Sequence, residues 1–161
     1  MLIRPIKIED AADMNRMRVM HGVMENILGM ASERPSDTEA FIRALSHNDH
    51  LLVAEVDGVV VGCAGLNVSS KPRTRHTGSF GIMIHADYQK QGIGKALMTA
   101  ILDIADNWLK LKRVELSVFV ENETAVALYR KMGFVVEGTK KFAAVRNGVY
   151  ADEYMMARYG K

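Results

Sequence analysis

Apolar positions along this chain change their spacing several times, and each change marks an element. LIRPIKI reads as a strand. In EDAADMNRMRVMHGVME, Met14, Met17, Met20 and Met24 recur at helical spacing, which predicts core packing, with Asp10 placed as the N-cap. Gly29 and the SERPSD segment interrupt that pattern, and TEAFIRALS resumes it as a second short helix. LLVAEVDGVVVGCAGLNV is apolar on both sides of Asp57-Gly58, a tight-hairpin dipeptide, and predicts two strands. GSFGIMIH predicts a further strand. A long helix over residues 92–110 follows, with Leu97, Ile101, Ile104, Ala105 and Trp108 on one stripe. RVELSVFV is a strand, and NETAVALYRKMGF is a helix closed by Gly133. VVEGTKKFAAVRNGVYADEYMMAR ends the chain as a hairpin about Asn147-Gly148.

The order β-α-α-β-β-β-α-β-α-β-β predicts an α/β fold. Strands 79–85 and 113–120 are joined by a helix, which makes them parallel neighbours with a right-handed crossover. The hairpins make the remaining pairs antiparallel. The expected architecture is a mixed central sheet with helices on both faces.

Composition narrows the class. The 161 residues suit one domain spanning 1–161, and 48% hydrophobic with 25% charged residues is an ordinary globular balance. A net charge of +2 gives no reason to expect nucleic acid. No apolar run approaches the ~18 residues of a membrane span, and the N-terminus lacks a signal-type apolar region. The expectation is therefore no membrane partner and a cytoplasmic setting. Lone Cys63 cannot form an internal disulfide and reads as a small buried hydrophobe. A two-fold homodimer is the default assembly.

Residues 87–97, DYQKQGIGKAL, carry the first chemical signal. A glycine turn between strand and helix can hold a phosphate on backbone N–H groups, assisted by the helix dipole. Lys95 adds a full charge there. A dinucleotide loop would need a third glycine where Leu97 stands. A Walker-type loop would need glycine at Gln89 and a hydroxyl at Ala96 to ligate magnesium. Neither pattern fits, and no metal is expected. A third pattern, [QR]-x-x-G-x-[GA], is matched from Gln89 to Gly94.

That third pattern resembles the pyrophosphate loop of the GNAT family of N-acetyltransferases. A second stretch, ELSVFVENETAVALYRKMGF, resembles the family's other signature, with Asn122, Tyr129, Gly133 and Phe134 in order and spacing. The resemblance extends along the whole chain. Within the family, ADNWLKLKRVELSVFVENETAVALYRKMGF and VRNGVYADEYMMAR look like a bacterial branch containing L-amino-acid N-acetyltransferases. The N-G-x-Y-x-D-x-Y-x-M pattern is shared with spermidine and ribosomal-protein acetyltransferases, so the acceptor stays open.

The resemblance implies acetyl-CoA as co-substrate. It implies pantetheine alongside Ile82, Met83 and Ile84, and pyrophosphate on the backbone of Gln91, Gly92, Ile93, Gly94 and Lys95, with Gln89 opening the loop and Asn122 near the cofactor. It implies Tyr129 as the acid for the leaving thiol and a β-strand N–H near Met83 or Ile84 for the carbonyl oxygen. The amine must lose a proton before it attacks. Glu115 acting through water is the first candidate base, ahead of His85, Glu25 and His21. Arg73, Arg75 and His76 form a basic loop suited to an acceptor's carboxylate, which favours an amino acid or similar small amine over a polyamine. A non-catalytic acyl-CoA-binding module on the same fold is the rival reading.

Overall fold

Alternation along β3 (Val59–Val68) sends Ala64 and Leu66 to one face of a sheet and Cys63 to the other. In the computed structural model, which describes residues 1–161, that sheet has seven strands. The others are β1 (Leu2–Pro5), β2 (Asp49–Val56), β4 (Thr77–Ile84), β5 (Arg113–Phe119), β6 (Val135–Arg146) and β7 (Val149–Tyr159). Their spatial order is β1-β2-β3-β4-β5-β7-β6, and β4–β5 is the single parallel pair. The helices are α1 (Ala11–Arg18), α2 (Pro35–Arg43), α3 (Ile93–Asp103) and α4 (Glu123–Lys131). Element order and the mixed sheet are as the hydrophobic pattern predicts.

Each face buries its own core. Leu97, Met98 and Ile101 of α3 pack with Val126 and Tyr129 of α4 against Ala64, Leu66, Phe80, Val114 and Leu116. On the opposite face Met14, Met17 and Val23 cover Val53, Val60, Cys63 and Met83. Burial pushes the Cys63 thiol up to about 12, so it is inert packing. No helix is long and apolar enough to cross a membrane.

Three local expectations are corrected. Asp10 does not cap α1 through its side chain. Its carboxylate instead receives both terminal nitrogens of Arg4, each at 2.8 Å, and the Lys7 N–H at 2.9 Å. The first helix stops at Arg18, ahead of left-handed Gly22 (φ 88°). Met20 and Met24 therefore lie in the following turns. The long helix ends at Asp103 and passes into one wider turn, Ile104–Trp108, in which Leu109 N–H donates to Ile104 O at 3.0 Å. The wider turn takes Trp108 off the buried stripe and leaves it 78% exposed. Asp106, in the same turn, takes two 2.7 Å bonds from Arg158 of β7.

The feature that positions a site is where the parallel pair stops. β4 and β5 meet at only three rungs, Thr77–Arg113, Gly78–Val114 and Ser79–Glu115. Beyond them β4 stays with β3 as far as Ile84–Gly62, and β5 stays with β7 as far as Phe119–Glu153. Phe80, the first unpaired residue of β4, packs with Tyr129 and Phe134 at centroid distances of 6.2 and 6.4 Å, so an aromatic group lies where the strands part.

Burial pushes the Asp10 carboxyl up, but the Arg4 guanidinium and the Lys7 N–H together outweigh it and hold the group below the usual carboxylate range. Asp10 is only 4% exposed, so Asp10→Asn should cost about 3 kcal/mol at neutral pH in urea unfolding. A depressed carboxyl stabilises above its unfolded pKa of ~3.9 and loses that contribution as pH falls through the folded value. The gap between wild type and variant should therefore shrink from about pH 5 to about pH 3.

Candidate active site

Ile82, Met83 and Ile84 are anchored by their side chains. Met83 enters one core, and Ile82 and Ile84 pack against the other. Their backbone pairs with Ala64, Cys63 and Gly62 of β3 on one side only. The other side carries N–H and C=O groups toward the gap left by β5, with no ladder partner. Gly81 is exposed in mid-sheet, and a Cβ placed there would meet nothing within 4 Å.

The gap leads to the glycine loop. The Gln89 amide donates to Ile84 O at 3.1 Å and to Gly22 O at 3.3 Å, tying the end of β4 to the segment after α1. The Gln91 side chain donates to Asp87 O at 2.9 Å. Gly92 is the N-cap of α3 in the left-handed region (φ 85°), which favours glycine. Gly94 differs. It is helical, and a Cβ there would make ordinary contacts with Leu128 at 3.5 Å and Ile84 at 3.8 Å. The fold itself does not require glycine at 94. Exposed Lys95 stands beside it at the positive end of the helix.

Tyr129 reaches the opposite end of the gap, beside Phe80, from α4. Asn122 caps that helix by accepting from Ala125 N–H at 3.3 Å, and Phe134 N–H closes it on Tyr129 O at 3.0 Å. Tyr129 is 6% exposed, against Phe80 and Phe134. Burial alone raises its phenol to about 12, and its hydroxyl makes no hydrogen bond within the chain. The hydroxyl is not among the buried unpaired atoms of the chain, so the ring is buried while its O–H stays accessible as a donor.

The opposite face carries two connected clefts. One, of about 450 Å³, lies between α1, α2 and β4, with Met14, Ile27, Phe41, Leu45, Leu51 and Met83 as its apolar wall. The other, of about 500 Å³, is lined by hydroxyls of Ser46, Ser69, Ser70, Thr74 and Thr77, with Lys71 and Glu115. They share Asn67 and Ser79.

Glu115 thus faces a cleft from the last rung of the parallel pair. It accepts from Arg113 Nε at 2.7 Å through one oxygen, and Arg113 also grips Glu137. His85 serves as a local cap, its Nδ1 accepting from Asp87 N–H at 3.2 Å. Arg73, Arg75 and His76 are exposed and line neither cleft; from the same loop it is Lys71 and Thr74 that line the polar one. Glu25 lies in the turn after α1 with Arg146 nearby, a grouping the sequence reading missed.

Comparison with known proteins matches residues 18–134 to the acetyltransferase (GNAT) family. The L-amino acid N-acetyltransferase AaaT of Escherichia coli is 46% identical over 107 residues, a stretch covering 66% of this chain and 66% of that enzyme. A solved acetyltransferase of the GNAT family from Streptococcus pneumoniae superposes with a TM-score of 0.86 at 28% identity, over 99% of both chains. Spermidine N-acetyltransferase from Vibrio cholerae, solved in complex with CoA and spermine, has a TM-score of 0.86 at 23% identity over 98% of this chain and 94% of that one.

The two glycines should separate in stability measurements. Gly92→Ala, forced into a left-handed conformation, should lose about 1 kcal/mol. Gly94→Ala should gain about 0.5 kcal/mol, because alanine is the better helix residue and the space is there. Thermal unfolding of both variants checks this; equal losses would mean that the fold needs both glycines.

Proposed function

The chain belongs to the acetyltransferase (GNAT) family, and we propose that it transfers an acetyl group from acetyl-CoA to the amine of a small molecule, in particular an L-amino acid. The observation that carries this reading is the unpaired edge of β4. It ends at a glycine loop that turns through left-handed Gly92 into the start of α3, and it begins beside a buried tyrosine whose hydroxyl bonds to nothing in the chain.

These features fit acetyl-CoA. Ile82, Met83 and Ile84 would pair through their backbone with the amides of its extended arm. The N–H groups of Gln91, Gly92, Ile93, Gly94 and Lys95 would hold the pyrophosphate at the start of α3. Asn122 fixes the start of α4 and thereby Tyr129, and Gln89 fixes the loop to β4. Acetyl-CoA supplies the activated acyl group.

The Met83 N–H faces β3, so the Ile84 N–H, which faces the gap, would stabilise the carbonyl oxygen as it gains charge. Tyr129 keeps its proton through the neutral range and offers its O–H to the departing sulfur. With its pKa held near 12, it acts chiefly as a hydrogen-bond donor, and the amine's own proton can balance the released thiol. Glu115 is the base we assign to the acceptor face, acting through water with the carboxylate oxygen that Arg113 leaves free.

Two observations favour an amino acid. AaaT is named for that activity, and the wall of the cleft beside β4 is apolar, which suits an uncharged side chain better than a polyamine. A polyamine acceptor is the second reading, on the likeness to the spermidine enzyme's fold. We further propose a homodimer through the β6–β7 hairpin, where Phe142 and Tyr150 meet edge to face with centroids 5.8 Å apart while 75% and 72% exposed.

Thiol release should be followed with free amino acids, polyamines and N-terminal peptides. Activity confined to polyamines or peptides would overturn the amino-acid assignment, and acetyl-CoA binding without release for any amine would favour a binding module. Tyr129→Phe should lower kcat on the order of 10²-fold with the KM for acetyl-CoA little changed. Glu115→Gln should lower kcat and flatten the acid limb of its pH profile; unchanged turnover removes Glu115 from the mechanism. Sedimentation should show a dimer that Tyr150→Lys converts to monomer, and a monomeric wild type would refute the interface.

A further inference from the structure

Two segments meet over the wide end of the gap between β4 and β5. From the β4 side, Gly22 O accepts from Gln89, and Gly22 packs close to the Ala86 side chain. From the β5 side, Arg146 lies 5.7 Å from the centre of the Phe119 ring and donates to Glu121 at 3.3 Å. Arg146 also donates to Asn26 Oδ1 at 3.1 Å, so the turn after α1 and the end of β6 are joined across the opening.

Each segment carries a charged group with one buried atom that makes no hydrogen bond. Only four buried side-chain nitrogen or oxygen atoms in the chain lack a hydrogen bond, and two of them are Glu25 Oε1 and Arg146 Nε. The Glu25 side chain is 9% exposed, and its other oxygen accepts from Gly22 N–H at 2.8 Å. Burial pushes the Glu25 carboxyl up, but its own and the Gly22 N–H groups, with His21 and Arg146, outweigh this and keep it ionised. His21 Nδ1 lies against Oε1 but outside hydrogen-bond geometry. The His21 side chain is 93% exposed, so its rotation alone uncovers that oxygen. An unpaired buried polar atom costs about 1–3 kcal/mol, more when charged, and native structures keep few.

One orphan is an anionic acceptor and the other a cationic donor. A zwitterion presents the reverse pair, a cationic donor and an anionic acceptor, on adjacent atoms. We infer that Glu25 and Arg146 form a clamp for the head group of an α-amino acid, with Glu25 Oε1 taking the ammonium and Arg146 Nε the carboxylate. The side chain then points into the apolar cleft, whose lining residue Ile27 directly follows Asn26, the residue that holds Arg146. The clamp selects the acceptor on entry, and loss of the amine proton is a later step. This rests on the acetyltransferase reading and names the recognition residues within it.

The test compares L-leucine with L-leucinamide, which keeps the amine and side chain but has no carboxylate. Arg146→Gln should raise the KM for leucine about tenfold or more and leave that for leucinamide within about twofold. Glu25→Gln should raise both by about tenfold or more. The KM for acetyl-CoA should not move. Asn26→Ala removes a tether but neither charge and should preserve the ratio of leucine to leucinamide; a purely structural role would shift it as far as Arg146→Gln does. If Arg146→Gln does not fold, Arg146→Lys, which loses Nε, should show the same selective rise. Parallel losses on both substrates in the Arg146 variant, or unchanged KM values in Glu25→Gln, overturn the clamp. Wild-type acetylation of spermidine but not leucine also overturns it while leaving the acetyltransferase reading standing. Absence of thiol release with any amine defeats that reading itself.

Discussion

A backbone ladder that stops early governs this molecule. Three rungs hold β4 to β5, and then each strand follows its other neighbour. Interior strands normally satisfy both edges, because an unpaired polar backbone shielded from water is costly. β4 keeps one edge open and is held in place by its side chains. Met83 sits in one core and Ile82 and Ile84 against the other, so the strand cannot roll to close the gap. The glycine loop, Tyr129 and both clefts are arranged around that open edge.

Burial and charge divide the work between the two faces. The face with α3 and α4 is dry and aromatic, and there burial alone sets the Tyr129 phenol. The face with α1 and α2 carries the clefts, and its charged groups are mostly tied down: Glu115 by Arg113, Glu33 by Arg18, Asp10 by Arg4. Against that background of satisfied carboxylates Glu25 stands apart, with one oxygen facing only the exposed His21 ring.

Most of the architecture could be read from hydrophobic spacing. Alternation, the two hairpin dipeptides and the helix crossover give the order of elements and the single parallel pair, but not the place of β7 between β5 and β6. What spacing does not encode is where a pairing ends, because GSFGIMIH alternates in the same way whether or not a neighbour follows it. Asp10 carried an N-cap signature, yet its partner Arg4 lies on the strand before it. Trp108 fitted the helical stripe until the wider turn rotated it outward. Tyr129 and the glycine loop were legible because their chemistry is local. The Arg146–Asn26 contact joins residues 120 positions apart, and nothing in either neighbourhood announces it. The Arg113–Glu115 pair was the one readable miss, since residues two apart on a strand share a face.

The open edge has a consequence for solubility. An exposed edge strand is a template for another chain, and proteins commonly blunt theirs with charge or bulges. Here the unpaired groups of β4 lie inside the sheet, with β5 on one flank and the bridge from Asn26 to Arg146 over the mouth. A slot so confined admits a single slender strand-like molecule but not the edge of a second sheet. The fold thereby keeps a reactive β-edge in permanent display without offering it to aggregation.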